Sequence, residues 1–162
     1  MDQEYRKVKR TAIFTAILCI AVAIVIVTAP IGILMLSSSI RPIVRKQKIF
    51  NLVERNYEVI LEACENQDAE ALSVIDGIKD VDIRTGYVLV YCAGYGIAPS
   101  SQDYGFYYSR DNLPVAVFAG QIICPTSQLT EKGNGYEYID SGYNVFYTEH
   151  IKGNIYFYSA SF

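Results

Sequence analysis

The most constraining feature of this 162-residue chain is Thr11 to Leu36, TAIFTAILCIAVAIVIVTAPIGILML, 26 residues without a single charge. A helix needs about 20 apolar residues to cross a hydrocarbon core of ~30 Å. At ~1.5 Å per residue this run reaches ~39 Å, so it spans with tilt. Pro30 and Gly32 lie near its far end, where a missing backbone donor can kink a helix. A cleaved signal peptide has an apolar core of only ~7–15 residues, and Ser37 and Ser39 as a cleavage site would follow a run that is too long. A lipoprotein anchor fails because Cys19 follows Leu18 inside the run. The reading is therefore a single-pass signal-anchor: a short basic tail over 1–10, a transmembrane helix over 11–36, a basic juxtamembrane linker over 37–48 and a soluble domain over 49–162.

Charge divides along the same line. Residues 1–48 hold eight Lys/Arg against two acids, and residues 49–162 hold six against fifteen. A domain that acidic cannot neutralise phosphates, so nucleic acid is excluded as a partner. Four basic residues (Arg6, Lys7, Lys9, Arg10) precede the span and four (Arg41, Arg45, Lys46, Lys48) follow it, so counting alone leaves orientation tied. The N-terminal cluster sits closer to its boundary, and the first ten residues have nothing to fold into. The expectation is N-inside, with the C-terminal domain extracellular and the bilayer as its first partner. The stretch 41–48 then lies at the membrane surface, where each basic residue is worth ~1 kcal/mol near anionic lipid.

After the break at Ser37-Ser38-Ser39 and Arg41-Pro42, the apolar positions Ile49, Val53, Tyr57, Ile60 and Cys64 repeat at spacings of four, four, three and four, one face of an amphipathic helix. Asp68 can cap a second short helix running to Ile75, with Ala71, Leu72 and Ile75 inward and Gly77 as its stop. From Val81 the period becomes two. Residues 81–83, the turn Arg84-Thr85-Gly86 and YVLVYC at 87–92 predict a hairpin, and YVLVYC is apolar on both alternating sets, as a strand covered on both faces would be. GFYYS at 105–109, VAVF at 115–118 and QIIC at 121–124 follow. A closing meander runs through GYEYID at 135–140, YNVFYTEH at 143–150 and NIYFYSASF at 154–162. The fold class is α+β: a helical pair packed on an antiparallel sheet of about six or seven strands.

The tail resembles a group of uncharacterised small bacterial single-pass membrane proteins. YGFYYS at 104–109, FYTEHI at 146–151 and NIYFYSASF at 154–162 carry the likeness, which covers roughly 87–162 with a weaker echo in ENQDAEAL at 65–72. The resemblance implies a membrane anchor before an exported, Tyr/Phe-rich domain. It implies no activity and no site residue.

Chemistry is sparse. The only histidine, His150, stands at a strand end, and nothing in the sequence brings it to Cys92 or Cys124 to make a nucleophilic pair. One histidine and scattered cysteines cannot supply a zinc set, and Asp76, Asp80 and Asp82 read as caps and solvated positions rather than calcium ligands. The run 91–105, with Gly94, Gly96, Pro99, Ser100, Ser101 and Asp103, lacks a phosphate-loop lysine and reads as a surface crossover. No catalytic residue, metal ligand or cofactor is assigned. A hydrolase would have to draw its acid and base from Asp103, Asp111, Glu137 or Glu149, and no spacing selects a pair. Cys92 and Cys124 both end apolar strands and are the candidate disulfide of an exported domain.

The tyrosines carry most of the remaining signal. Twelve Tyr and five Phe fall within 87–162, and the chain has no Trp. Alternation puts Tyr104, Phe106 and Tyr108 on one face, groups Tyr143, Val145 and Tyr147, and sets Tyr156 and Tyr158 opposite Ile155 and Phe157. Two short helices cannot cover that much aromatic surface. The second face is then a dry interface or a tyrosine platform, and Tyr104, Tyr108, Tyr143, Tyr147, Tyr156 and Tyr158 are its candidates. The bland alternative is cross-strand pairing at ~0.2–1 kcal/mol per pair. The functional expectation is a non-enzymatic, membrane-anchored extracytoplasmic module binding a protein or an envelope glycan. The alternative is a structural component of an envelope complex that pairs with itself as a homo-oligomer.

Overall fold

The computed structural model describes residues 43–97, 100–118 and 121–162. The run 11–36, its flanking basic clusters up to Arg41 and the calls placed on them lie outside these residues. Among the described residues no helix is long and apolar enough to cross a membrane.

Val44–Phe162 forms one compact unit. It opens in helix α1, which runs to residue 55. Asn56 interrupts the helix with φ near −113°, its side-chain amide turned back onto the Leu52 carbonyl at 2.9 Å, and α2 follows over Tyr57–Asn66. The helix expected to run unbroken from Ile49 to Cys64 is thus two segments sharing one apolar face: Ile49, Val53, Ile60 and Cys64 are buried. Gln67 in the left-handed region ends α2. Asp68 then caps α3 (Ala69–Ser73) by accepting from the Ala71 N–H at 2.9 Å, the role its sequence position implied. Leu72 is the buried anchor of this turn, and Ala71 and Ile75 pack half-buried beside it.

Seven strands make one antiparallel sheet in the order β1 (Asp80–Arg84), β2 (Tyr87–Ile97), β3 (Ser100–Ser109), β9 (Ile155–Ser161), β8 (Val145–Lys152), β7 (Gly135–Ile139), β6 (Thr130–Lys132). The tight turn at Thr85-Gly86, with Gly86 at φ +85°, joins β1 to β2. The glycine-rich stretch expected to be a surface crossover is mostly strand: Gly94 and Gly96 belong to β2, and a bulge between Tyr91 and Ala93 resets its alternation. Central β3 pairs β9 with Phe106 opposite Phe157 and Tyr107 opposite Tyr156. β6 was not foreseen, because TEK at 130–132 is polar and wholly exposed and so carries no apolar alternation.

VAVF and QIIC form β4 (Ala116–Phe118) and β5 (Gln121–Cys124), but they do not join the main sheet. They make a separate hairpin lying on the face opposite the helices, with β4 against β8 and β9. The unit Val44–Phe162 is therefore three layers. Between helices and sheet sit Ile49, Val53, Ile60, Leu72, Val88, Val90, Phe106, Ile155 and Phe157. Between sheet and hairpin sit Leu89, Tyr107, Val115, Val117, Tyr156 and Tyr158, continued by Ala116, Cys124, Phe146 and Ala160. Burying each large aliphatic or aromatic side chain contributes ~1.5–3 kcal/mol. The second layer also satisfies its polar atoms. The Val115 N–H donates to the Tyr107 hydroxyl (2.9 Å), Tyr107 donates to Thr148 Oγ1 (2.7 Å), and Thr148 donates to the Phe157 carbonyl (3.0 Å).

Candidate functional site

The six tyrosines do not share a surface. Tyr104 and Tyr108 point into the helix-side core, 3% and 8% exposed. Tyr147 lies half-buried on the same side. Tyr156 and Tyr158 point the other way and are buried beneath the β4–β5 segment. Only Tyr143 is in solvent, at 88% exposure, in the turn before β8 with φ +63°. The sheet face expected to be a platform or a dry interface is covered by Val115, Ala116, Val117 and Cys124 of the same chain. A platform needs a surface that alternation alone cannot show to be open.

The two cysteines expected at strand ends are likewise separated, and Cys92 falls mid-way along β2 rather than at its end. Cys92 lies in the helix-side core and Cys124 in the hairpin-side core, and Cys64, Cys92 and Cys124 are all free thiols. The sheet stands between Cys92 and Cys124, which rules out the candidate disulfide in this fold. Burial pushes the Cys92 thiol up to about 12. The four candidate carboxylates are dispersed. Asp111 is in an exposed turn, and Asp103 is on the hairpin side near Tyr91. Glu137 lies across from Tyr147 and is paired with Lys132 at 3.4 Å. Glu149, 7% exposed, is held by the Lys46 ammonium and the Tyr147 hydroxyl. His150 hydrogen-bonds the Gly153 carbonyl at 2.7 Å at the surface. Among the described residues no group of three metal-ligating side chains converges.

One arrangement does converge on a group without a partner. Residues Arg45, Lys48, Ile49 and Leu52 recur at spacings of three, one and three on one side of α1. They face Cys92 and Ala93 of β2 and the turn at Gly77, lining a half-open cleft of about 180 Å³. The Leu52 Cδ1 fills the space where a Cβ on Gly77 would stand only 2.6 Å away, so the turn closes this end because position 77 is glycine, at φ +100°. Outside the cavity lining, the Arg45 guanidinium lies over the rings of Tyr95 (4.4 Å) and Tyr104 (5.6 Å). Those rings are held nearly parallel, at 14°, because both hydroxyls donate to Gln102 Oε1, and Gln102 in turn donates to Ser161. Burial and the neighbouring Tyr95 raise the Tyr104 hydroxyl's pKa, keeping it a neutral donor. Arg45 Nη1 is buried and has no hydrogen-bond partner among the described residues.

Sequence reasoning missed this corner. Arg45 counted only as one of several juxtamembrane charges, and Tyr95 and Gln102 fell within a stretch read as loop. The available signal was the spacing from Arg45 to Leu52, which continues the helix's inward face with cations on its first turn. No family model, curated protein or solved structure matches the chain.

Proposed function

We propose that this chain is a membrane-tethered extracytoplasmic binding module without catalytic activity, and that its binding site is the α1–β2 corner around Arg45 rather than a tyrosine-faced sheet. The observation that carries the reading is the buried, unpartnered Arg45 Nη1 held on a fixed pair of tyrosines. A buried donor left unmade costs ~1–3 kcal/mol, more for a charged group, and an acceptor that opens this corner far enough to reach Nη1 would recover that cost. The tether rests on the uncharged run 11–36, and the outward orientation on the basic cluster that hugs its start. Envelope glycans and exported proteins are the partner classes such a location offers.

A second reading has an observation of its own. Ile139 (52% exposed) and Tyr143 (88%) bracket the β7–β8 turn, and Ile122 and Ile123 of β5 are also partly open, apolar area that a homo-oligomer or an envelope complex would cover. Analytical ultracentrifugation of the full chain in detergent separates the two: a monomer with Ile139 and Tyr143 in place counts against self-association.

Location is tested by protease shaving of intact cells carrying a C-terminal epitope, with permeabilised cells as control. Loss of the tag from intact cells is the expected result. Protection in intact cells together with cleavage after permeabilisation would place the domain inside and end the extracytoplasmic reading.

A further inference from the structure

We infer that the groove between α1 and the segment after α3 binds a phosphodiester that carries hydroxyl groups, the chemistry of a glycerol-phosphate lipid headgroup or of the same unit free in solution. The inference goes beyond the reading above and needs neither the Arg45 corner nor the orientation of the domain. Lys48, Asn51, Leu52 and Arg55 recur at spacings of three, one and three along α1 and form one wall. Val74 and Asp76 line the groove from the segment after α3, and Asn56 from the break after α1. The half-open space is about 650 Å³, within the ~300–1,000 Å³ of ligand sites. It shares Lys48 and Leu52 with the smaller Arg45 cleft, but residues 74–76 wall it rather than β2.

Charge sets the head of the ligand. Most cations of this acidic unit are already engaged. Arg45, Lys79 and Lys152 lie over tyrosine rings, and Lys46, Arg84 and Lys132 pair with carboxylates. Among the described residues only Lys48, Arg55 and Arg110 engage neither an acid nor a ring, and two of these three line this one groove. Seven residues of helix set Lys48 and Arg55 about 10 Å apart along the axis, so one anion is approached from both ends. The guanidinium takes two phosphate oxygens, and the ammonium adds a point charge. Asp76 is the one acid among the lining residues, and it favours an anion that brings a hydroxyl to donate over one that does not. Asn51 accepts from Gln47 at 3.0 Å and Asn56 donates to the Leu52 carbonyl at 2.9 Å, so each side-chain amide keeps one end for a hydroxyl. Val74, a large aliphatic side chain left 79% exposed, offers apolar contact to the ligand's carbon atoms.

The test uses the purified full chain in phosphatidylcholine nanodiscs with ¹³C-methyl labels on leucine and valine, the Leu52 and Val74 signals being assigned by Leu52→Ile and Val74→Ile. In the lipid arm, increasing proportions of the lipid are replaced by phosphatidylglycerol or by phosphatidylmethanol, which has the same charge and no headgroup hydroxyl. In the soluble arm, glycerophosphoglycerol or dimethyl phosphate is titrated into the phosphatidylcholine discs. The expected result is graded shifts of both signals with the glycerol compound in at least one arm, a roughly tenfold weaker response to its methyl counterpart, and a roughly tenfold loss in Arg55→Gln. Shifts in the lipid arm alone identify a bilayer headgroup as the source, and shifts with glycerophosphoglycerol identify the free unit. Arg55 is exposed, so Arg55→Gln keeps the fold. Arg110→Gln, which removes the unengaged cation outside the groove, is expected to leave the response unchanged. No shift in either arm overturns the proposal, and so does an equal response to the methyl counterpart. Equal losses in Arg55→Gln and Arg110→Gln would mean diffuse attraction to positive charge and would overturn it as well. Only the lipid arm rests on the span 11–36, so a chain that stays outside the discs is still decided by the soluble arm.

Discussion

Asp103 shows how a single side chain acquires a property that its neighbours in sequence do not announce. It sits on β3 facing away from the helices, and Gly94 of β2 lies across from it. A Cβ at position 94 would stand 2.3 Å from the Tyr91 hydroxyl oxygen and 2.6 Å from Asp103 Oδ1, so the absence of a side chain there admits both groups. Partial burial raises the Asp103 carboxyl above the ordinary carboxylate range. The native state therefore keeps its proton to higher pH than the unfolded chain does. Stability falls as pH rises from the usual aspartate value through the raised one, and stays lower above it. Asp103→Asn should consequently be more stable than wild type at neutral pH, with the advantage shrinking in acid. Thermal denaturation of both proteins between pH 4 and 8 measures this, and a constant gap across the range would contradict it. Tyr143 makes the opposite point: alternation grouped it with Tyr147, but its positive φ removes it from the strand and leaves it in solvent.

Elements follow their local patterns where one face is buried and depart from them where the backbone breaks. The α1–α2 face and the Asp68 cap were legible because helical spacing and capping are local effects. The break at Asn56 was not, because it depends on a side-chain amide bonding back to the Leu52 carbonyl rather than on hydropathy. In the sheet, β2 and β3 owe their close register to Gly105, opposite Tyr91. A Cβ on Gly105 would meet the Val90 carbonyl oxygen at 2.0 Å and the Tyr158 ring at 2.6 Å. Neither can retreat, since one belongs to a ladder and the other to the hairpin-side core. Gly105→Ala should cost about 3 kcal/mol or more, read as a fall in the denaturant midpoint. A change within about 0.5 kcal/mol, the usual range for surface sites, would mean that the strands separate without penalty. Gly86 is a contrast: nothing lies within 4 Å of its added Cβ, and its role is confined to the positive φ of the turn.

At the scale of the whole molecule, the thiols report the layering. Cys64 and Cys92 are both pushed to about 12 by burial, so their reactive thiolates are scarce at pH 8. Iodoacetamide should modify Cys64, Cys92 and Cys124 slowly in the native chain and fully once it is denatured without reductant. Peptide mass spectrometry gives the answer, and recovery of a Cys92–Cys124 cross-linked peptide would refute the placement of these residues on opposite faces.

The sequence by itself determined the class: a long uncharged run, then helices, then antiparallel strands whose alternation sorts residues into two sets. These are local consequences of hydropathy and backbone geometry, and neighbours along the chain are enough to impose them. Only the tertiary structure decided what each set of residues meets. Alternation placed Tyr156 and Tyr158 opposite Phe157, but covering them required Val115 and Val117 to pack over the sheet beside a separate β4–β5 hairpin. Burial is a property of contacts between distant segments, and two strands of the same pattern can pair in a sheet or lie across it. The Arg45 corner has the same origin. Arg45 precedes Tyr95, Gln102 and Tyr104 by 50 or more residues in the chain, and the unpartnered Nη1 exists only because the fold brings them together.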